Sequence, residues 1–322
     1  MALRENLKKS QLVEIRIKLL YLHKFQKIMT TTLKDKYINP FTDFGFKRIF
    51  GEEPNKDILI DFLNTLFSGE LIIKELSLKP PYKTSKTKEE RKVVFDLYCK
   101  TSTDERIIIE MQKAKQKYFK DRSVFYSTFP IQEQAQTGEW DFQLNAVYTI
   151  GILDFVFDDQ DKDRQLVSEV KLIETKTSKV FFDKLTFLYL QMPNFNKQEH
   201  ELENRFDQWL YILKNLPKFE KYPNIINDKI FKKLFKISEI ANFNKEEIMA
   251  YEESLKTFRD LKNSLDTARE EGREEGREEG EQIGITKIII NGHKEGFSIE
   301  MLKKITGYTE KEIKEIIKNN KL

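Results

Sequence analysis

Cysteine and histidine are scarce in this sequence. The 322 residues include one cysteine, Cys99, and three histidines, which lie far apart at His23, His200 and His293. A disulfide and a cysteine zinc site each need more than one cysteine, so neither can be built within one chain. The histidines show none of the short spacings found in metal-binding motifs. Disulfide frameworks and cysteine zinc sites are therefore excluded, and nothing indicates a histidine site.

Long apolar runs are also missing. No stretch approaches the roughly 20 consecutive apolar residues that a membrane-spanning helix needs. Residues 1–28 do not form a secretory signal peptide, because Lys and Arg interrupt the apolar positions and no small-residue cleavage site follows. We therefore expect a cytoplasmic protein without a membrane partner.

The residues that are present favour a folded, polar protein. Charged residues make up 34% and hydrophobic residues 39%, and the chain has 25 Phe and 12 Tyr, so a packed core is expected. The net charge of +3 says little, but its distribution is uneven. Residues 74–122 contain 14 Lys and Arg against 8 Asp and Glu. Such a patch is compatible with phosphate binding, although most such patches are solvated surfaces.

Apolar periodicity predicts an alternation of strands and helices. Strands are predicted over residues 71–78, 93–99, 106–112, 145–155, 166–174 and 185–192. Helices are predicted over residues 42–50, 55–67, 114–129, 199–216, 230–240 and 245–281, with either Thr42 or Asp43 as the first N-cap and Pro130 interrupting the third helix. The strands at 93–99 and 106–112 are apolar on both faces, which is typical of the centre of a sheet, and a short polar turn joins them as a hairpin.

Four regions follow from these patterns. They are an N-terminal extension (1–36), a main domain (37–216), a helical region with a charged connector (217–281) and a small helical unit (282–322). We hypothesise that Met29 is the native first residue, and an ordinary amphipathic N-terminal helix is an equally open interpretation. The connector repeats Arg-Glu-Glu-Gly three times between Arg269 and Gly280, which indicates a solvated, partly frayed helix.

The last region has helix signals of its own. Ser298 is the expected cap of one short helix, Gly307 ends that helix, and Thr309 with Glu312 forms a capping box for the next. A helix-turn-helix and a plain helical hairpin for packing or dimerisation both fit this pattern.

Three polar residues stand among the apolar residues of the central hairpin. Glu110 and Gln112 are two residues apart on one strand and so face the same side, and Asp96 can join them from the neighbouring strand. Buried carboxylates need a compensating cation or donor, and oxygen ligands at close range suit Mg²⁺. The alternative is that Asp96 and Glu110 pair with nearby Lys or Arg side chains, and the spacing alone leaves both interpretations open.

Four segments carry a family resemblance. They are YINPFTDFGFKRIFG at 37–51, FDLY at 95–98, IEMQKA at 109–114 and YFKDRSVFYS at 118–127. Together they resemble the Rpn-like recombination-promoting nuclease or putative transposase family of the PD-(D/E)xK superfamily. The resemblance runs from about residue 37 to 216, and the charged repeat and helical tail also look like those of the family.

The resemblance implies a fold and an activity. The fold would be α/β, with a mixed-sheet, restriction-endonuclease-like core flanked by helices and a helical C-terminal extension. The activity would be Mg²⁺-dependent endonucleolytic hydrolysis of DNA, linked with recombination or mobile elements, with Asp96 and Glu110 as metal ligands. A DNA-binding protein without catalysis, and an oligomeric scaffold of identical chains, are the competing interpretations.

The resemblance also assigns roles to neighbouring residues. The superfamily name expects Lys where this chain has Gln112, which can orient water or phosphate but carries no charge. Lys113 or Lys115 would then supply positive charge and contact DNA, although Lys113 lies on the opposite side if the strand continues. Asp43 is either a helix cap or a further catalytic ligand. Arg122 and Tyr126, one helical turn apart, are expected to contact a phosphate, the alternative being a structural role.

Overall fold

A six-stranded mixed sheet forms the centre of the chain. The computed structural model describes residues 35–79, 95–136, 138–157, 165–223 and 226–320. The strands are β1 (Leu76–Lys79), β2 (Leu97–Thr101), β3 (Arg106–Gln112), β4 (Val147–Leu153), β5 (Val167–Ile173) and β6 (Val180–Gln191). Their order across the sheet is β1-β2-β3-β4-β6-β5. The first three strands pair antiparallel, β4 and β6 continue the sheet in parallel, and β5 returns antiparallel at the edge.

Helices cover both faces of this sheet. The helices of the described residues are α1 (Asp43–Phe50), α2 (Lys56–Leu66), α3 (Phe119–Gln132), α4 (Arg205–Asn215), α5 (Lys229–Ser238), α6 (Lys245–Lys294), α7 (Ile299–Thr306) and α8 (Glu310–Asn319). Of these, α7 and α8 belong to a separate unit and not to the cover of the sheet. The main core joins α1, α2, α4, α5 and the start of α6 to one face. On the other face α3 packs through Phe119 and Phe129. Gly151 of β4 makes this approach close, because a Cβ there would lie 3.3 Å from the Phe119 ring.

This architecture confirms the predicted α/β class, with a mixed sheet, flanking helices and a helical C-terminal region. The prediction for residues 106–112 is correct at both ends. The strand predicted at 93–99 occupies Leu97–Thr101, and residues 93 and 94 lie outside the described part of the chain. The hairpin turn that follows needs a left-handed backbone at Asp104 (φ 75°), which a short polar side chain tolerates.

Several predicted boundaries were wrong, among them the start of the helix predicted at 199–216, which begins at Arg205. The helix predicted at 114–129 begins only at Phe119, and Pro130 lies within its last turn instead of ending it. The strand predicted at 185–192 begins at Val180, because its first residues pair with the end of β5. The strand predicted at 71–78 is limited to Leu76–Lys79, since β2 offers partners only there.

The charged connector is a regular helix. α6 continues without interruption through the repeated glycines to Lys294, so the predicted end of this helix near residue 281 was wrong. The chain divides into two compact units, Met1–Arg259 and Asp260–Leu322, and the boundary falls within α6. No helix in the described ranges has both the length and the apolar content needed to cross a bilayer.

The second unit has a small core of its own. Ile289 of α6 packs with Leu302 of α7 and Ile313 of α8. The predicted caps are present: the Ser298 side chain accepts from the Met301 N–H, Gly307 has a left-handed backbone, and Thr309 with Glu312 forms a reciprocal capping box. Three packed helices fit a helix-turn-helix and a packing module equally well.

Candidate metal centre and cleft

The β2–β3 hairpin brings Asp96 and Glu110 together. Leu97 pairs with Ile109, so Asp96 stands opposite Glu110 where the ladder ends. The Asp96 N–H donates to Glu110 Oε1 at 3.2 Å, and Asp96 Oδ2 accepts from the Met111 N–H at 2.8 Å. The Asp96 side chain thus accepts the hydrogen bond that a backbone carbonyl would accept if the β2–β3 pairing continued. Both carboxylates therefore lie at the same point at the carboxyl end of β3.

Burial makes this pair of carboxylates electrostatically costly. Glu110 is only 7% exposed. Its burial, followed by the nearby Asp96 charge, raises the pKa of Glu110 to about 8. Burial also raises the pKa of Asp96, and the charge of Asp43 adds to this effect. A bound cation would relieve both carboxylates, because it compensates the charge that burial disfavours.

Gln112 adds an oxygen to the same end of β3. Its Oε1 is buried and has no hydrogen-bond partner, although buried polar atoms normally have one. Within the described ranges, no three His, Cys, Asp or Glu side chains cluster as metal ligands. Two carboxylates and one carboxamide nevertheless fit the chemistry of Mg²⁺, which keeps several waters and takes few protein ligands.

A cleft of about 700 Å³ opens beside Asp96 and is lined by α1. Thr42 caps this helix by accepting from the Gly45 N–H at 3.0 Å, so of the two predicted caps Thr42 is correct and Asp43 is not. Asp43 and Lys47 form an exposed ion pair at 2.8 Å one turn apart on α1, and both line the cleft. Lys47 was not among the residues selected from sequence, because its place depends on how α1 docks.

The opposite wall of the cleft comes from the start of α6. The Tyr251 hydroxyl accepts from the Asn39 N–H at 2.9 Å, and Ser254 Oγ accepts from the Phe44 N–H at 3.1 Å. These contacts join residues more than 200 positions apart. Ser254 lines the cleft, together with Glu253 and Thr257. Periodicity marks α6 as a helix but cannot show that it closes this cleft.

Lys113 lies on the α1 side of the site. Burial lowers the pKa of Lys113, while the charges of Asp43 and Asp96 act in the opposite direction. Its Nζ is 5.6 Å from the centre of the Phe258 ring. Lys113 is therefore the lysine that directly follows the hairpin and lines the cleft beside Asp96. Lys115, two residues on, is exposed.

Arg122 and Tyr126 approach the site from α3. The Arg122 guanidinium lies 5.6 Å from the Tyr126 ring centre, and its Nη1 donates to Gln116 Oε1 at 2.6 Å. Its Nη2 is buried without a hydrogen-bond partner. The charge of Arg122 lowers the pKa of Glu110, against the larger effect of burial. Burial and then the Glu110 charge raise the pKa of Tyr126. Both residues therefore lie beside Glu110.

Two exposed aromatic residues extend this face of α3. Tyr118 is 65% exposed and Phe125 is 55% exposed. With Arg122 they occupy positions i, i+4 and i+7, which share one face of a helix. Sequence reasoning did not select them, although the alternation of aromatic and basic residues from Lys117 to Tyr126 was a usable signal.

Comparison with known proteins gives one match. A family model described as PD-(D/E)XK nuclease family transposase matches residues 40–268. No curated protein and no solved structure matches the chain. The matched residues include both strands of the hairpin, α3 and the first part of α6.

Proposed function

Since the chain belongs to the PD-(D/E)XK nuclease family transposases, we propose that it is a Mg²⁺-dependent endonuclease that hydrolyses phosphodiester bonds in DNA. We place its action in recombination or the movement of mobile elements. The observation that carries the proposal is the contact between Asp96 and Glu110 at the end of β3, where burial raises the pKa of both carboxylates.

Asp96 and Glu110 would hold the metal, with Gln112 nearby. The donor set fits because Glu110 is buried beside the half-buried Asp96 and the Gln112 oxygen lacks a hydrogen-bond partner. When bound, Mg²⁺ polarises the scissile phosphate and lowers the pKa of a coordinated water. Asp43, which lines the same cleft, is the candidate for a further catalytic ligand, acting through water.

The other residues of the site orient and stabilise the reacting groups. Gln112 Oε1 can accept a hydrogen bond from the attacking water and so fix its direction, but it supplies no charge. Lys113 and Lys47 line the cleft on the Asp96 side and would attract a phosphate there. Because Lys113 follows Gln112 directly, it is the candidate for the charge that the superfamily's motif lysine would supply.

The exposed face of α3 is the proposed DNA contact. The half-buried Arg122 brings a positive charge to this face that can attract a phosphate, and Tyr126 lies against its guanidinium. Lys115 adds positive charge on the segment before α3. Tyr118 and Phe125 present exposed rings on which unpaired bases can stack. This surface therefore combines charge with aromatic rings, as single-stranded nucleic acid binding requires.

The test is a metal-titrated cleavage assay on plasmid, linear duplex and single-stranded DNA. The purified chain should nick DNA with Mg²⁺, and Asp96→Ala should abolish cleavage. Asp121→Asn, which changes an exposed carboxylate on α3, should keep wild-type activity. Calorimetric titration with Mn²⁺ should show binding to the wild-type protein that Asp96→Ala loses.

An Asp96→Ala protein as active as wild type would overturn the assigned site. Salt-dependent DNA binding without any metal-dependent cleavage would instead favour a non-catalytic DNA-binding protein.

The DNA contact has a separate test. Phe125→Ala and Tyr118→Ala should weaken binding of a single-stranded oligonucleotide about tenfold each, from roughly 1–3 kcal/mol per stacked base. Binding of Mn²⁺ should be unchanged, because neither side chain touches the carboxylates. Equal weakening on duplex and single-stranded DNA would contradict base stacking and leave the metal site unaffected.

A further inference from the structure

The outer edge of β5 is an exposed apolar surface. β5 ends the sheet, and among the described strands it pairs with β6 alone. Val170 and Leu172 are 46% and 47% exposed, and Ile173 is also exposed. Val180 and Phe181 of β6 extend this surface at the end of the hairpin. Monomeric proteins usually protect such edges, because unpaired backbone groups and apolar side chains invite another strand.

The backbone of β5 shows which residues are available for pairing. The Leu166 carbonyl accepts from the Gln191 N–H, so the backbone N–H and C=O groups of residue 166 point toward β6. The backbone groups of every second residue after it do the same, because these groups alternate in direction along a strand. Glu169 and Lys171 therefore direct their N–H and C=O groups outward. The pairing with β6 is regular from Val167 to Lys171, before the register shifts.

The charged residues of β5 favour one register when this strand pairs with β5 of a second copy of the chain. Antiparallel pairing about a two-fold axis at Val170 places Glu169 of each copy opposite Lys171 of the other. An axis at Glu169 or at Lys171 would place like charges opposite each other, which is destabilising. In one chain these two side chains already form an ion pair along the strand. The outward N–H and C=O groups of Glu169 in one copy then form hydrogen bonds with those of Lys171 in the other copy.

The geometry points to a homodimer formed through β5, in which two copies pair antiparallel about Val170 and join their sheets into one. The interface is isologous, as a two-fold axis requires. The opposed Val170 residues form a non-hydrogen-bonded pair, in which Cα atoms are about 4.5 Å apart. The exposed side chains of Val170 and Leu172 are buried by the second copy.

Cysteine cross-linking tests this register. In a Cys99→Ser background, Val170→Cys should form a disulfide-linked dimer under mild oxidation, because its two sulfurs meet across the axis. Leu172→Cys is the matched control, being equally exposed on the same strand. In this register the Cα atoms at position 172 of the two copies are about 13 Å apart along the strand, beyond disulfide reach. Equal cross-linking of both variants, or none at Val170→Cys, would overturn the register.

Charge reversal tests the interface itself. Sedimentation of the wild-type full chain at tens of micromolar should give twice the 38.4 kDa mass of one chain. Lys171→Glu should raise the dimer dissociation constant about tenfold or more, because it creates like-charge pairs on both sides of the axis. Adding Glu169→Lys to that variant should restore the dimer. A monomeric wild-type protein, or a dimer insensitive to Lys171→Glu, would refute the proposal.

Discussion

At the residue scale, the contact between Asp96 and Glu110 suits metal binding and opposes stability in the metal-free protein. Burial raises the pKa of both carboxylates, and the charge of Asp96 adds to the cost of ionising Glu110. The two backbone N–H groups that they accept from offset only part of this cost. Activity and stability therefore impose opposite demands on the same two side chains.

Glu110→Gln should make the metal-free protein more stable. The amide keeps an oxygen to accept from the Asp96 N–H. At neutral pH the folded protein holds Glu110 largely protonated, because its pKa is raised to about 8, whereas the unfolded chain ionises it. Gln removes this cost, so we expect the free energy of unfolding to rise by about 1 kcal/mol or more. Chemical denaturation in EDTA at neutral pH measures this, and Asp121→Asn should show no change. Cleavage by Glu110→Gln should be lost. A destabilised Glu110→Gln protein would contradict the electrostatic account.

Some residues of the site were predictable from sequence and others were not. Strand alternation and the hairpin turn suffice to bring Asp96, Glu110 and Gln112 to one end of β3, because all three depend on local geometry. Lys47 and Ser254 are different, since they line the cleft only through the docking of α1 and α6. That docking depends on contacts across more than 200 residues, which no local pattern encodes.

At the element scale, α1 is fixed by a tight turn at its start. The Asn39 carbonyl accepts from the Thr42 hydroxyl at 2.7 Å and from the Thr42 N–H at 3.1 Å. Gly45 lies directly against this turn, where a Cβ would be 2.1 Å from the Asn39 oxygen. The turn therefore sets the position of α1 and of the charged side chains that it brings to the cleft.

Gly45→Ala should strongly destabilise the protein, whereas Gly276→Ala should stabilise it. At Gly45 the backbone must shift to admit a methyl group, and we expect a loss of about 2 kcal/mol or more. At Gly276, within α6, a Cβ meets open space, so the change should gain about 0.5–1 kcal/mol of helix stability. Thermal denaturation followed by circular dichroism compares the two. If Gly45→Ala left the melting temperature unchanged, the turn would accommodate a Cβ at little cost in stability.

Element types were predictable more often than element ends. The helix containing Pro130 continues past the proline, because the Gln134 side chain donates to the Pro130 carbonyl at 3.1 Å and supports the end of α3. β6 begins early because β5 supplies partners for its first residues. In both cases a tertiary or side-chain contact moves a boundary that propensity alone places elsewhere.

At the scale of the whole molecule, α6 belongs to two compact units. Tyr251 and Leu255 lie in the core of the first unit, and Ile289 lies in the core of the second. The family match ends at residue 268, beyond the residues of α6 that contact the first unit. The first part of the helix is therefore an integral part of the catalytic unit that we propose.

Truncation should separate these roles. A chain ending at Ala268 should fold and keep Mg²⁺-dependent cleavage, because it retains Tyr251, Ser254 and Leu255. A chain ending at Asn244 should lose both, since the Asn39 and Phe44 N–H groups lose their acceptors and the cleft loses a wall. Thermal melts and plasmid nicking compare the two proteins. A stable, active chain ending at Asn244 would show that α6 is dispensable for the site.

The turn from Asn39 to Gly45 has a consequence for genome surveys. Residues 39–45 position α1, whereas the DNA hydrolysis that we propose depends on Asp96 and Glu110, which lie more than 50 positions further along the chain. A related chain could therefore keep this turn and the fold, lose either acid, and have no activity. Reliable counts of active enzymes should therefore require the equivalents of Asp96 and Glu110.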